Sequence, residues 1–264
     1  MSIYESELPL GNGIGLNRLD EYIRWDTKQV NIITGFSNDG KSEFLDFINV
    51  RLNQLYGWKT LYYSPENLPI EQHLAKLVSK MTNKVFAKDM ISKEELFETA
   101  NHLKDNFFFY KIDQAQEIDE ILNTAKGIIS QEGIKVLVLD PWNYIAHQNN
   151  STIDNDYVSD VMSKLCLFAK LYDVLIFLVA HAKKPSGKGD KPTIHDICGS
   201  SNFGNKADNC LLVYRNKNPY QEMAEIHTLK VRFKNYGSAG KVVYLNYDRL
   251  SGNYYETEDP LDCF

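Results

Sequence analysis

Four cysteines in 264 residues, none in a C-x-x-C pair, leave little basis for a disulfide framework or a thiolate zinc site. Cys166, Cys198, Cys210 and Cys263 read as reduced thiols of a cytoplasmic protein, bacterial or phage-encoded. No run of about eighteen apolar residues occurs, so no membrane partner is expected. The N-terminal MSIYESELPLGNGIG lacks a basic stretch followed by an apolar one, which argues against export. Internal repeats and low-complexity tracts are also missing. His73, His102, His147, His195 and His227 show no metal-ligand spacing and read as structural or surface residues. Excess positive charge is lacking too: 29 basic against 35 acidic residues give a net charge of −6, part of it in the tail ETEDPLDCF. That argues against a protein that coats nucleic acid non-specifically, but does not exclude a local basic loop.

What is present is apolar and periodic. At 43% hydrophobic residues the chain can bury one large core. Apolar runs at 30–34, 59–64, 107–112, 135–140, 174–180 and 210–214 predict strands, with helices expected at 40–55, 69–82, 92–104, 116–130 and 153–172. Continuous apolar strands alternating with helices imply an α/β fold, a mostly parallel central sheet flanked by helices. After residue 208 the runs EIHTLKVRF, KVVYLNY and NYYET alternate strictly between turns, which predicts a C-terminal antiparallel β extension. Residues 1–20 read as an arm or linker, 21–256 as the main domain and 257–264 as an acidic tail.

The stretch GFSNDGKS (35–42) matches G-x-x-x-x-G-K-S after an apolar strand and before a helix. Its glycines, Gly35 and Gly40, let the backbone N–H groups of the loop and helix N-terminus face phosphate oxygens. Lys41 then reaches the outer phosphates and Ser42 holds Mg²⁺ through its hydroxyl. Ser37, Asn38 and Asp39 complete the nucleotide-binding set; the Asp39 side chain can point outward and need not touch phosphate, but should still weaken the local positive field. Asp140 ends the strand in KVLVLDPWNYI, where it either anchors the metal's water shell beside Ser42 or caps the next turn. Glu66 in LYYSPENLP is either a base for an attacking water or an ordinary surface glutamate.

His181 ends another buried strand, where it could sense a terminal phosphate, and is followed by Lys183, Lys184, Lys188 and Lys191 among Gly, Ser and Pro. This is either a solvated loop or a basic segment that grips a nucleic-acid backbone. In LKVRFKNYGSAG, Lys230, Arg232 and Lys234 are two apart, hence on one strand face. Either a phosphate of a neighbouring subunit lies opposite, or the face is merely exposed.

Taken in order, GFSNDGKS, YYSPEN, VLVLDPWNYI, VAHAKKPSGKGDKPTIHDICGSSNFGNKADNCLLVYRNK and LKVRFKNYGSAGKVVYLNYDRLSG resemble the motifs of hexameric replicative DNA helicases. The likeness is to the Twinkle and phage primase-helicase branch of the DnaB-like group, and it spans about residues 15–256. It implies a RecA-like P-loop NTPase motor that uses Mg²⁺ with ATP, dTTP or another NTP. Single-stranded DNA passes 5′ to 3′ through a homo-oligomeric ring, a hexamer or heptamer, with a primase and a polymerase as candidate partners. Carried over by position, Glu66 is the general base, Asp140 the magnesium-associated carboxylate and His181 the γ-phosphate sensor. Arg232, with Lys230 beside it, is the finger that enters the next subunit's site. Arg215 and Tyr247 sandwich the base. Lys183, Lys184 and Lys188, with Gly199 and Ser200 in the backbone segment 196–204, follow the DNA. Asp39, and Asn67 in place of an apolar residue after the glutamate, depart from the family pattern. A recombinase-type ATPase and a weakly hydrolysing replication scaffold or loader are the alternatives.

Overall fold

The fold is described from a computed structural model, over residues 8–112, 116–145, 155–183, 191–197, 202–215 and 223–257. Six strands form the parallel part of one sheet: β1 (Val30–Gly35), β2 (Lys59–Tyr63), β3 (Phe107–Phe109), β4 (Ile134–Leu139), β5 (Leu175–His181) and β6 (Asn209–Arg215). Three antiparallel strands follow: β7 (Met223–Val231), β8 (Lys241–Tyr247) and β9 (Tyr254–Glu256). The order across the sheet is β3-β2-β4-β5-β1-β6-β7-β8-β9. The parallel α/β core and its β extension are as the sequence predicts.

Every residue of β1 is buried because both faces of the sheet are covered. Alternate residues divide between two cores, as the two-residue period of a strand requires. Ile33, Phe177 and Val213 pack toward α2 (Lys41–Tyr56) and α3 (Ile70–Thr82). Ile32, Ile176 and Leu137 pack toward α5 (Ile118–Glu132) and α6 (Asn155–Tyr172). Each fully buried side chain of this size contributes about 1.5–3 kcal/mol. The other helices are α1 (Asn17–Tyr22), α4 (Lys93–Asn106) and α7 (Asn202–Lys206). Ser92 caps α4 by accepting from Glu95 N, which satisfies one of the free donors at its start.

Three expectations need correction. The strand foreseen over 107–112 ends at Phe109, because this edge strand has only β2 to pair with. Lys230, Arg232 and Lys234 do not share a strand: β7 stops at Val231, so only Lys230 lies on it, Arg232 follows its end and Lys234 opens a 3-10 turn. The stretch 1–20, expected as an arm, joins the core from Ile14 onward, where Ile14 and Leu19 are fully buried. Just after it, Trp25 meets Phe177 edge to face at 5.3 Å.

Candidate nucleotide-binding site

The parallel strands carry their C-terminal ends to one side of the sheet, and a cavity of about 720 Å³ opens there. β1 delivers the phosphate loop into it. Gly35 adopts φ 152°, and a Cβ at that position would lie 2.2 Å from the Val213 carbonyl oxygen, so no side chain fits. Gly40 takes φ 89° and starts α2, directing the helix N-terminus at the cavity. Ser37, Asn38, Asp39, Lys41 and Ser42 line it. Lys41 Nζ donates to the Phe36 carbonyl at 2.8 Å, which holds the ammonium against the loop. Asp39 does not point outward. It is buried and accepts from Phe36 N at 3.2 Å, closing the turn of the loop on itself.

β4 places Asp140, β5 places His181 and the turn after β2 places Glu66 around the same space. Asp140 is 2% exposed. Burial, helped by the nearby carboxylates of Asp46 and Glu66, raises its pKa to about 6, against the opposing pull of Ser42 and Lys41. Asn67 Nδ2 donates to Asp140 Oδ2 at 3.2 Å, whereas Oδ1 is buried with no hydrogen-bond partner. This gives the polar residue after the glutamate a local task.

Magnesium fits these residues. The Ser42 hydroxyl and an orphaned carboxylate oxygen are hard donors, and the rest of a Mg²⁺ shell normally comes from water and phosphate. Among the described residues there is no cluster of three or more His, Cys, Asp or Glu that could cage a metal alone.

His181 is paired in register with Gly35, and the next residue, Ala182, donates its N–H to the Gly35 carbonyl at 3.0 Å. The end of β5 is therefore tied directly to the phosphate loop. His181 Nε2 is 4.0 Å from Glu66 Oε1. Burial and the neighbouring Lys41 charge lower the imidazole pKa against the opposing pull of Glu66, which favours the neutral ring. Lys183 follows at the surface, its N–H bonded to Asp196 O at 2.7 Å. Lys184, Lys188, Gly199 and Ser200 lie outside the described residues.

Arg215 and Tyr247 reach the far part of the cavity from the ends of β6 and β8. Tyr247 packs at 5.0 Å on Tyr254, a ring the sequence reading missed. Burial and Glu43 push the Tyr247 hydroxyl up to about 12. Lys76, also missed, enters from α3 and pairs with Glu43 at 2.6 Å. Lys76 and Lys80, one helical turn apart, both meet the acidic residue that follows Ser42. That i, i+4 spacing was the available signal.

Lys230 and Arg232 do not line this cavity. Lys230 Nζ donates to the carbonyls of Gly204, Asn205 and Ala207 at 2.8–3.0 Å, engaging all three of its N–H groups at the C-terminal end of α7. Arg232 pairs with Asp208 at 2.8 Å and donates to Lys206 O at 3.0 Å. Asp208 in turn accepts from Val30 N, at the start of β1. The pair therefore marks the end of β1 opposite the phosphate loop, roughly 17 Å away at about 3.3 Å per residue.

No helix among the described residues is long and apolar enough to cross a membrane. Residues 11–251 match the family described as DnaB-like helicase C terminal domain. The chain is 33% identical over 258 residues to the chloroplastic/mitochondrial Twinkle homolog protein of Arabidopsis thaliana, covering 92% of this chain and 36% of the plant protein. It is 27% identical over 154 residues to the DNA helicase/primase of Enterobacteria phage T3, covering 56% of this chain and 27% of the phage protein. It thus spans about a third of the length of these relatives. Among solved structures, the ATPase domain of G40P superposes with a TM-score of 0.81 at 16% identity, covering 97% of this chain and 95% of that one. A DnaB-like replicative helicase studied for its interactions with primase gives 0.80 at 16% identity, covering 97% and 64%. With five-sixths or more of its length matched and its parallel strands converging on a phosphate loop, this chain belongs to the DnaB-like helicase C-terminal domain family.

Proposed function

We propose that this domain hydrolyses nucleoside triphosphate, ATP or another such as dTTP, in a cleft shared by two copies, and so draws single-stranded DNA 5′ to 3′ through a ring of six or seven. One observation carries this reading. The phosphate loop, Glu66, Asp140 and His181 converge on one cavity, while the expected arginine stands at the opposite end of β1. Lys41, Lys76 and Arg215 line the cavity, but Arg232 does not reach it in its own chain, and phosphoryl transfer uses such an arginine to stabilise transition-state charge. A neighbour can supply it.

In the proposed mechanism, the loop N–H groups and Lys41 hold the phosphates and fix the terminal phosphorus in line with a water. Lys41 leaves the Phe36 carbonyl to do so. Bound Mg²⁺, held by Ser42 and Asp140, would neutralise charge on the outer phosphates. Glu66 accepts the proton of the attacking water as the new P–O bond forms and the bond to the leaving diphosphate oxygen breaks. Arg232 of the adjacent copy meets the charge that develops. His181 lies between the phosphates and the basic segment that starts at Lys183, so loss of the terminal phosphate is passed along β5 to the DNA contacts. Arg215 and Tyr247 hold the base. A primase and a polymerase are the further partners that this reading admits, and the chain would act where DNA is copied in its host.

Turnover measured against protein concentration, with and without single-stranded DNA, tests the proposal. A steep rise in specific activity with concentration, enhanced by DNA, is expected. Specific activity that is flat with concentration and indifferent to DNA would overturn it.

A further inference from the structure

Lys191 belongs by sequence to the basic run after His181, yet its ammonium, although partly exposed, is held by the protein itself. It donates to Glu225 of β7, a carboxylate that is nearly buried, and lies 5.2 Å from the centre of the Tyr214 ring of β6. Glu225 also accepts from His227 at 2.9 Å, two residues along the same strand face. Tyr214 and Glu225 are register partners across β6 and β7, and the next pair in the ladder is Arg215 with Ala224. Both members of that next pair line the nucleotide cavity. Side chains alternate along strands, so Lys191 grips one face of the sheet where the adjacent rung presents the other face to the base end of the site. The opposite root of the run is fixed as well, by the Ala182–Ile197 bridge and the Lys183–Asp196 hydrogen bond.

We propose that Lys191 is a positioning residue, fixing the C-terminal root of the basic segment to the β6–β7 pair and so linking DNA occupancy to nucleotide affinity. This rests on the reading that the segment holds DNA. The link runs through backbone: a pull on the segment loads the Tyr214–Glu225 rung, and the Arg215–Ala224 rung moves with it. It is separate from the His181 route, which reaches the phosphate end of the cavity. It also removes Lys191 from the set of DNA-contacting lysines, because its charge is already matched by Glu225.

The test uses the full chain, an oligothymidylate and the variants Lys191→Met and Lys191→Arg. Coupling is reciprocal, so it is read as the ratio of nucleotide Kd without and with the oligonucleotide. In Lys191→Met, Glu225 keeps His227 as a partner, and melting temperature and DNA-free turnover are expected to stay close to wild type. The coupling ratio should fall toward one, by roughly fivefold or more on the usual scale of such effects, and Lys191→Arg should restore it. Three results would overturn the inference: an unchanged ratio in Lys191→Met, loss of DNA affinity with the ratio intact, or a joint fall of melting temperature and DNA-free turnover. If the wild-type chain binds no oligothymidylate, the DNA reading itself fails, a result distinct from the other three.

Discussion

The Arg232 guanidinium lies 2.8 Å from one oxygen of Asp208, and the other oxygen of Asp208 accepts the N–H of Val30 that begins β1. The same carboxylate thus orients a half-exposed cation and anchors the central strand. On the proposed reading, an arginine held this way is already ordered before a second copy arrives, which lowers the ordering cost of docking it.

Arg232→Ala is expected to keep nucleotide affinity within a few-fold of wild type and to lose turnover. Trans-acting arginines contribute about 10³–10⁵ in rate. The decisive measurement mixes Arg232→Ala with Lys41→Ala. Each variant alone should be inactive, but a mixed ring pairs an intact loop with an intact arginine at some interfaces and recovers activity. No recovery in mixtures, or near-normal turnover by Arg232→Ala alone, would refute assignment in trans.

Asp140 gives a pH-dependent stability with a defined sign. Its carboxyl is raised from 3.8 to about 6, chiefly by burial. The folded state therefore holds the proton more tightly, and the stabilisation is complete below about pH 4 and lost as pH rises through about 6. At about 1.4 kcal/mol per pKa unit, ionising the buried group costs on the order of 3 kcal/mol at neutral pH. Asp140→Asn should accordingly stabilise the nucleotide-free protein at pH 7.5 and make little difference near pH 4, while weakening Mg²⁺-dependent nucleotide binding. Denaturant titrations in EDTA at both pH values check this. A stability difference that does not change with pH would show that burial is not the cause.

The residues legible in the sequence are those whose geometry is set locally. Gly35, Gly40, Lys41 and Ser42 stand at fixed spacing between a strand and a helix, and Asp140 and His181 end apolar runs that can only be buried strands. Contacts that join distant segments left no such mark. Nothing near Lys191 announces Glu225, 34 residues later, and α7, at five residues, is too short for a helical period to register. Asp39 was misjudged for a related reason: whether a loop side chain turns in or out depends on which N–H it can reach, here that of Phe36.

Lys80 tests the polar packing behind the phosphate loop. Its side chain is 1% exposed and bridges Glu43 at 2.8 Å and the Gly252 carbonyl at 2.5 Å, fastening α3 to the start of α2 and to the turn before β9. Lys80→Met fills a similar volume but leaves a buried carbonyl unpaired and Glu43 with only Lys76 of its two lysines. Breaking a buried pair from one side costs about 3–5 kcal/mol, and the Lys76 partner left in place should bring this to the lower end. Urea unfolding measures it. A loss below about 0.5 kcal/mol, the level of an ordinary surface substitution, would mean that the contact is not formed in solution.

His181 and Asp140 respond to pH in opposite directions, and this separates their roles in the same cavity. Burial and the Lys41 charge lower the His181 pKa, so the folded protein favours the neutral ring, and the associated stability is present above pH 6.5 and lost as pH falls through the lowered value. A bound polyphosphate adds negative charge to that of Glu66, 4.0 Å away, so nucleotide binding should draw a proton onto His181. In EDTA, where Asp140 has no metal to compete for, nucleotide affinity of the wild-type protein is expected to rise severalfold between pH 7.5 and 5.5. The phosphates titrate over the same range, so the informative quantity is the difference from His181→Gln, which keeps the protonation of the ligand but not that of the ring. The variant should show the shallower slope. Equal slopes would place His181 too far from the terminal phosphate to sense it, and the route along β5 to the basic segment would lose its starting point.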